Sequence, residues 1–135
     1  VLGGIGAVSL FVAAIGIANT MMMSIYERTK EIGVLKVLGC ALGDIRTMFL
    51  MEAGFIGFMG GVLGLGLSYS VSAAINKFLG ASLSGMTGGS GAISRIPLWL
   101  SGSAVVFAVL IGMLAGLFPA LRAMKLSPLA AIRNE

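Results

Sequence analysis

Three long stretches without a charged residue divide the chain, from residue 2 to 25, from 53 to 76 and from 96 to 121. A helix rises 1.5 Å per residue, so about 24 apolar residues reach about 36 Å, which exceeds the ~30 Å hydrocarbon core of a bilayer. Helical turns before Glu52 extend the second stretch. The pattern therefore predicts an all-α integral membrane protein with three transmembrane helices, at about 2–25, 47–76 and 97–120.

Polar segments separate these spans. A charged segment at 26–46 is predicted to hold a short helix between the first two spans. A Gly/Ser-rich segment at 77–96 is predicted to be a flexible loop, and residues 121–135 form a tail. The whole chain, 1–135, is predicted to be one membrane domain.

Composition favours lipid over water as the solvent. The chain is 58% hydrophobic and 10% charged, whereas soluble domains carry about 25% charged residues. Seven of the nine basic residues lie in the 26–46 segment and the tail, and two, Lys77 and Arg95, lie near the ends of the 77–96 loop. The positive-inside rule then predicts a multi-pass protein of the cell (cytoplasmic or inner) membrane, with its C-terminus in the cytoplasm and the 77–96 loop outside. Because the basic residues form no continuous patch, nucleic acid is not an expected partner.

The residues needed for catalysis or metal binding are scarce. Cys40 is the one cysteine, histidine is absent, and there are five acidic residues. No nucleophile–base pair, metal-ligand cluster or phosphate-cradling loop can be built from them. We therefore expect no catalytic residue, cofactor site or metal site on this chain, and no enzyme activity of its own.

Small residues recur at helical spacing in the second and third spans. Such faces allow helices to approach closely in lipid. Packing within one bundle is the simpler interpretation, and a dimer interface or sliding surface is the alternative. The predicted helix-packing residues are Gly57, Gly60, Gly61, Gly64, Ala104, Ala108, Gly112 and Gly116.

Two residues are predicted to lie at the membrane interfaces. Trp99 opens the third span, and tryptophan favours the headgroup layer. Glu52 borders the second span, as an interfacial carboxylate or as an ion-pair partner of Arg28, Lys30 or Lys36. The first possibility is structural, whereas the second would clamp the charged segment to the second span.

The charged segment contains ERTKEIGVLKVLG, from Glu27 to Gly39, which is compatible with a helix both charged and apolar. Composition alone favours a helix lying in the headgroup layer, and docking into a groove of a partner protein is the alternative.

Three motifs together resemble the FtsX-like (MacB-like) ABC transporter permease family, in its C-terminal transmembrane portion. They are GIANTMMMSIYERTKEIGVLKVLGC (16–40), GDIRTMFLMEA (43–53) and PALRAMKLSPLAAIR (119–133). The resemblance implies a dimer of permease chains, homo- or heteromeric, beside cytoplasmic ABC ATPases that bind and hydrolyse ATP. It also implies that the family's first span and external domain are not in this chain, which begins inside an apolar run at Val1.

By this resemblance, part of the charged segment is a cytoplasmic coupling helix that contacts the ATPase. The implied coupling residues are Glu27, Arg28, Lys30, Glu31, Ile32, Gly33, Leu35, Lys36, Leu38 and Gly39. The chain departs from the family after Gly39, where Ala41, Leu42 and Gly43 replace the usual hydroxyl and basic residues.

The expected function is a permease subunit of an ABC-type export or mechanotransmission complex, which transmits motion from the ATPase to an external domain. A first alternative is a regulator of a cell-wall hydrolase that transports nothing, with an external adaptor or hydrolase as a further partner. A second alternative is a small membrane scaffold or pore that needs no ATP.

Overall fold

Four α-helices form the part of the chain that the computed structural model describes, which is residues 1–87 and 94–125 with the single positions 127, 129 and 133. They are α1 (Leu2–Glu27), α2 (Thr29–Val37), α3 (Leu42–Thr87) and α4 (Leu98–Met124). Of these, α1, α3 and α4 are long and apolar enough to cross a membrane. The predicted all-α class, with three spans and a short helix between the first two, is confirmed.

Helix α3 is much longer than the predicted second span. Its 46 residues correspond to about 69 Å at 1.5 Å per residue, roughly twice the thickness of a bilayer core. It continues through Thr87, into the segment predicted to be a flexible loop. Each added residue contributes one backbone hydrogen bond to a helix that is already nucleated, and no proline occurs before Pro97 to stop it. Positions 88–93 of the predicted loop lie outside the described residues.

Helix α4 packs antiparallel against α3 along most of its own length. Small residues on both helices bring the backbones together, so that a Cβ atom added to Gly57 would lie 2.5 Å from the carbonyl oxygen of Ala108. The facing residues keep a nearly constant register along both helices. In order from the end that carries α2, they are Ala53 with Gly116, Gly57 with Gly112, Gly61 with Ala108, and Tyr69 with Ser101.

The buried core lies at the end of the bundle that carries α2, here called the α2 end. All four helices contribute to it, and Phe49 and Met21 are among its largest fully buried side chains. Most other large apolar side chains, such as Phe11 and Phe55, are exposed and suited to lipid. The core residues are Met21, Ile25, Ile32, Ile45, Phe49, Ala53, Ala120 and Ala123.

Candidate functional site

Helix α2 is held between two well-defined ends. At its start, the Thr29 hydroxyl donates to the carbonyl oxygens of Ile25 and Tyr26, both at 2.9 Å. At its end, Gly39 adopts a left-handed φ of 86°. The Cys40 amide donates to the Leu35 carbonyl oxygen at 3.1 Å, and the Gly39 amide to the Lys36 carbonyl oxygen at 3.2 Å. This is the Schellman arrangement, in which glycine is favoured because it has no Cβ atom and so adopts a positive φ with the least steric strain. The short helix is therefore ended by its own sequence.

One face of α2 is buried against the bundle. Ile32 is 1% exposed and belongs to the core, and Gly33 beside it is also buried. One turn after Ile32, Lys36 donates through Nζ to the carbonyl oxygens of Ala123 at 3.1 Å and Met124 at 2.8 Å. Burial lowers the pKa of Lys36, because desolvation disfavours its charged form. This face anchors α2 and is not available to a partner.

The opposite face of α2 is open. It borders a shallow groove of about 710 Å³. Residues three or four positions apart share one helical face, and the lining residues that belong to α2 follow that spacing, whereas Glu27 is the last residue of α1. Charged side chains line its first part and apolar side chains its second part, as in a surface that binds a partner by both salt bridges and apolar contact. The lining residues are Glu27, Lys30, Glu31, Val34 and Leu35, hereafter the α2 groove.

The ten predicted coupling residues thus fall on different sides of α2. Ile32 and Gly33 are buried, Leu35 and Lys36 are half-buried, and the other six are exposed. Val34, 47% exposed, lines the α2 groove although it was not among the predicted coupling residues. Its position four residues after Lys30 in the same helix is the signal that could have found it.

The small residues of the second and third spans also divide into two sets. Gly57, Gly61, Ala108, Gly112 and Gly116 lie along the α3–α4 contact. A Cβ atom on Gly112 would lie 2.7 Å from the Ala53 carbonyl oxygen, and one on Gly116 would overlap the Ala53 side chain. By contrast, a Cβ atom on Gly60 or Gly64 would meet nothing within 4 Å, and Ala104 is exposed. Gly54, not among the predicted residues, also faces α4, near Met113.

A polar clamp joins α3 to the start of α4 at the end opposite α2. The Asn76 side chain donates through Nδ2 to the Ser94 carbonyl oxygen at 2.8 Å and accepts from the Ser94 amide at 2.9 Å. The Ser72 and Ser94 hydroxyls lie 2.8 Å apart, and the Tyr69 and Ser101 hydroxyls 2.7 Å apart. Sequence reasoning missed this clamp, although positions 69, 72 and 76 share a helical face.

The two predicted interfacial residues lie near opposite ends of the spans. Trp99 is 74% exposed in the first turn of α4. Glu52 is half-buried on α3, and within residues 1–87 and 94–125 it forms no ion pair with Arg28, Lys30 or Lys36. The Lys36 amine instead bonds the last carbonyl oxygens of α4.

The apolar lengths and packing of α1, α3 and α4 define a multi-pass α-helical membrane protein. Residues 3–128 match the family model of the FtsX-like permease C-terminal domain, and the chain belongs to this family of ABC transporter permeases. The predicted family is confirmed.

Named relatives agree with this assignment. The chain is 38% identical over 136 residues to the ABC transporter permease YtrF of Bacillus subtilis, covering 97% of this chain and 31% of that protein. It is 40% identical over 134 residues to the macrolide export ATP-binding/permease protein MacB of Bdellovibrio bacteriovorus, covering 99% of this chain and 19% of that protein. The chain thus spans less than a third of the length of these two relatives.

Proposed function

We propose that this chain is the transmembrane part of a permease in an ABC-type export or mechanotransmission complex. In this proposal the α2 groove contacts a cytoplasmic ATPase, and the helices carry the resulting motion across the membrane. ATP is bound and hydrolysed on that partner, and a second permease chain completes the complex. An external domain, adaptor or hydrolase receives the motion on the other side.

The observation that carries the proposal is that one face of α2 is buried in the bundle while the opposite face is open. A helix that merely lay in the headgroup layer would present its apolar side chains to lipid and its charges to water. Here the apolar Ile32 is buried in the bundle, and the open face combines Glu27, Lys30 and Glu31 with the exposed Val34. A helix that is fixed by its buried face, and whose open face carries both charged and apolar side chains, is suited to contact with another protein.

The charge distribution supports a cytoplasmic position for the α2 end. The structure places α2 and the end of α4 together, because Lys36 bonds Ala123 and Met124. Most basic residues therefore gather at one end of the bundle, as the positive-inside rule expects for the cytoplasmic side. The exposed Cys40 offers a test, since a membrane-impermeant maleimide should label it in inside-out vesicles and not in right-side-out vesicles. Labelling from the outside would contradict this orientation.

The ATPase contact is tested by matched substitutions on α2. Val34→Asp puts a charge into the α2 groove, whereas Val37→Asp puts the same charge on an exposed position that does not line it. In the full-length protein, Val34→Asp should weaken ATPase binding about tenfold, the effect of losing one well-packed contact at an interface, and reduce ATPase stimulation accordingly. Val37→Asp should leave both near wild type.

Two results would count against the proposal. Equal effects of the two substitutions would mean that the α2 groove is not the contact surface. Failure of the wild-type protein to retain any ATPase in a pull-down from native membranes would favour the ATP-independent scaffold or pore.

A further inference from the structure

Lys36 joins two parts of the chain that lie far apart in sequence. Its ammonium group bonds the carbonyl oxygens of residues 87 and 88 positions further along, at the carboxyl end of α4. The last four carbonyl groups of a helix lack the regular intrahelical donor, and they form the negative end of the helix dipole. A cation placed there makes charge-assisted hydrogen bonds, which are stronger than neutral ones.

The other links of α2 run to its neighbours in the chain or to the shared core. Ile32 packs into a core to which α1, α3 and α4 all contribute, so this contact does not link α2 to one particular helix. The polypeptide connection leads from α2 through Gly39 into α3. Both of the described hydrogen bonds of Lys36, in contrast, end on α4. These bonds tie α2 to α4, whereas those of the Thr29 hydroxyl join α2 to the end of α1, its neighbour in the chain.

We infer that Lys36 is a positioning residue that ties α2 to the carboxyl end of α4, so that a displacement of α2 moves α4 directly. The inference rests on the proposed function for the origin of that displacement. It also changes the role of Lys36 from a charge facing the ATPase to a link inside the permease.

The bonds from Lys36 to α4 allow a displacement of α2 to be transmitted to the opposite end of the bundle. Helix α4 is held against α3 by the close backbone contact at Gly57 and Gly112, and again by the hydrogen bond between the Tyr69 and Ser101 hydroxyls. A helix pair fixed at several points along its length shifts as a unit more readily than it bends. A displacement of the carboxyl end of α4 would therefore reach the other end of the helix, near Ser101, with little reduction in amplitude.

The test compares Lys36→Met, which keeps a long side chain without its donors, with Lys30→Met on the exposed face of α2. Spin labels at Val37 and Leu114, both exposed, report the distance from α2 to α4 in a Cys40→Ser background. Labelled full-length protein is diluted with unlabelled protein in nanodiscs, so that the distance within one chain is measured. Lys36→Arg, which retains a cation and its donors, serves as the rescue variant.

In the permease alone, Lys36→Met should increase the population with α2 separated from α4 by at least about tenfold, because it removes two charge-assisted hydrogen bonds and the loss of one alone has about that effect. Lys30→Met should match the wild type, and Lys36→Arg should restore most of the short-distance population. A distance distribution in Lys36→Met as narrow as in the wild type would overturn the inference, whether or not an ATPase binds.

Adding the ATPase and a non-hydrolysable ATP analogue separates this inference from the proposed function. In the wild type the α2–α4 distance should stay constant, whereas in Lys36→Met it should change although the amount of bound ATPase does not. A constant distance in both proteins would overturn the transmission of motion through Lys36. Absence of ATPase binding to the wild type would refute the proposed function and leave the tie supported by the measurement on the permease alone.

Discussion

A single methyl group at Gly57 should separate α3 from α4. The added Cβ atom would lie 2.5 Å from the Ala108 carbonyl oxygen and 3.1 Å from the Val109 Cα atom. Both are backbone atoms of α4, so no side-chain rotation can relieve the overlap. Ordinary contacts require the helices to move apart locally by about 1 Å, a gap that forfeits a quarter to a half of the attraction between the facing atoms.

The size of the effect follows from two opposing contributions. Overpacking a tight contact destabilises a protein by about 1–3 kcal/mol, whereas replacing glycine by alanine inside a helix stabilises the helix by up to about 1 kcal/mol. Gly60→Ala provides the matched control, because it lies on the same helix and its Cβ atom would meet nothing within 4 Å. The difference in unfolding free energy between the two variants should thus be about 1–3 kcal/mol, with Gly57→Ala the less stable.

The measurement is reversible unfolding in mixed micelles with increasing mole fraction of SDS, followed by far-UV circular dichroism or by a helix–helix distance. Lipid supplies no hydrophobic drive for helix association, so the loss of close packing should appear fully in this assay. If Gly57→Ala and Gly60→Ala proved equally stable, the close approach of α3 and α4 at Gly57 would be refuted. Gly112→Ala repeats the test from the α4 side, where the Cβ atom would lie 2.7 Å from the Ala53 carbonyl oxygen.

Two further substitutions test the ends of the helices. Gly39→Ala should destabilise the protein by about 1–2 kcal/mol, because alanine disfavours the positive φ of the α2–α3 turn. Gly43→Ala, in open space within α3, is the control and should be neutral or stabilising; equal melting temperatures of the two variants would argue against this turn. Asn76→Ala should cost about 1–3 kcal/mol, because it leaves the Ser94 amide without its Asn76 acceptor and removes one of the two donors to the Ser94 carbonyl oxygen, the other being the Ser72 hydroxyl. Hydrogen exchange at Ser94 should accelerate in this variant and not in Ser70→Ala, which loses only a bond within its own helix; unchanged protection at Ser94 would exclude the clamp.

Properties that depend on neighbouring residues in the chain could be read from the sequence. The three spans follow from the length of uncharged runs, and α2 follows from a charged, helix-compatible segment between two of them. The end of α2 at Gly39 is equally local, since the left-handed turn needs glycine. The family assignment also belongs here, because it rests on contiguous motifs.

The tertiary structure alone decided which face of each helix meets another helix. Gly57 and Gly60 look alike in sequence, but only Gly57 faces α4, because the register and rotation of two packed helices are properties of the pair. Lys36 likewise looks like any basic residue until the end of α4, 87 and 88 residues away, supplies its carbonyl partners. The sequence thus determined where helices form and that they suit a membrane, through hydropathy and local backbone preference. The assignment of buried, bonded and open faces required three-dimensional packing, because those contacts join residues that the chain keeps far apart.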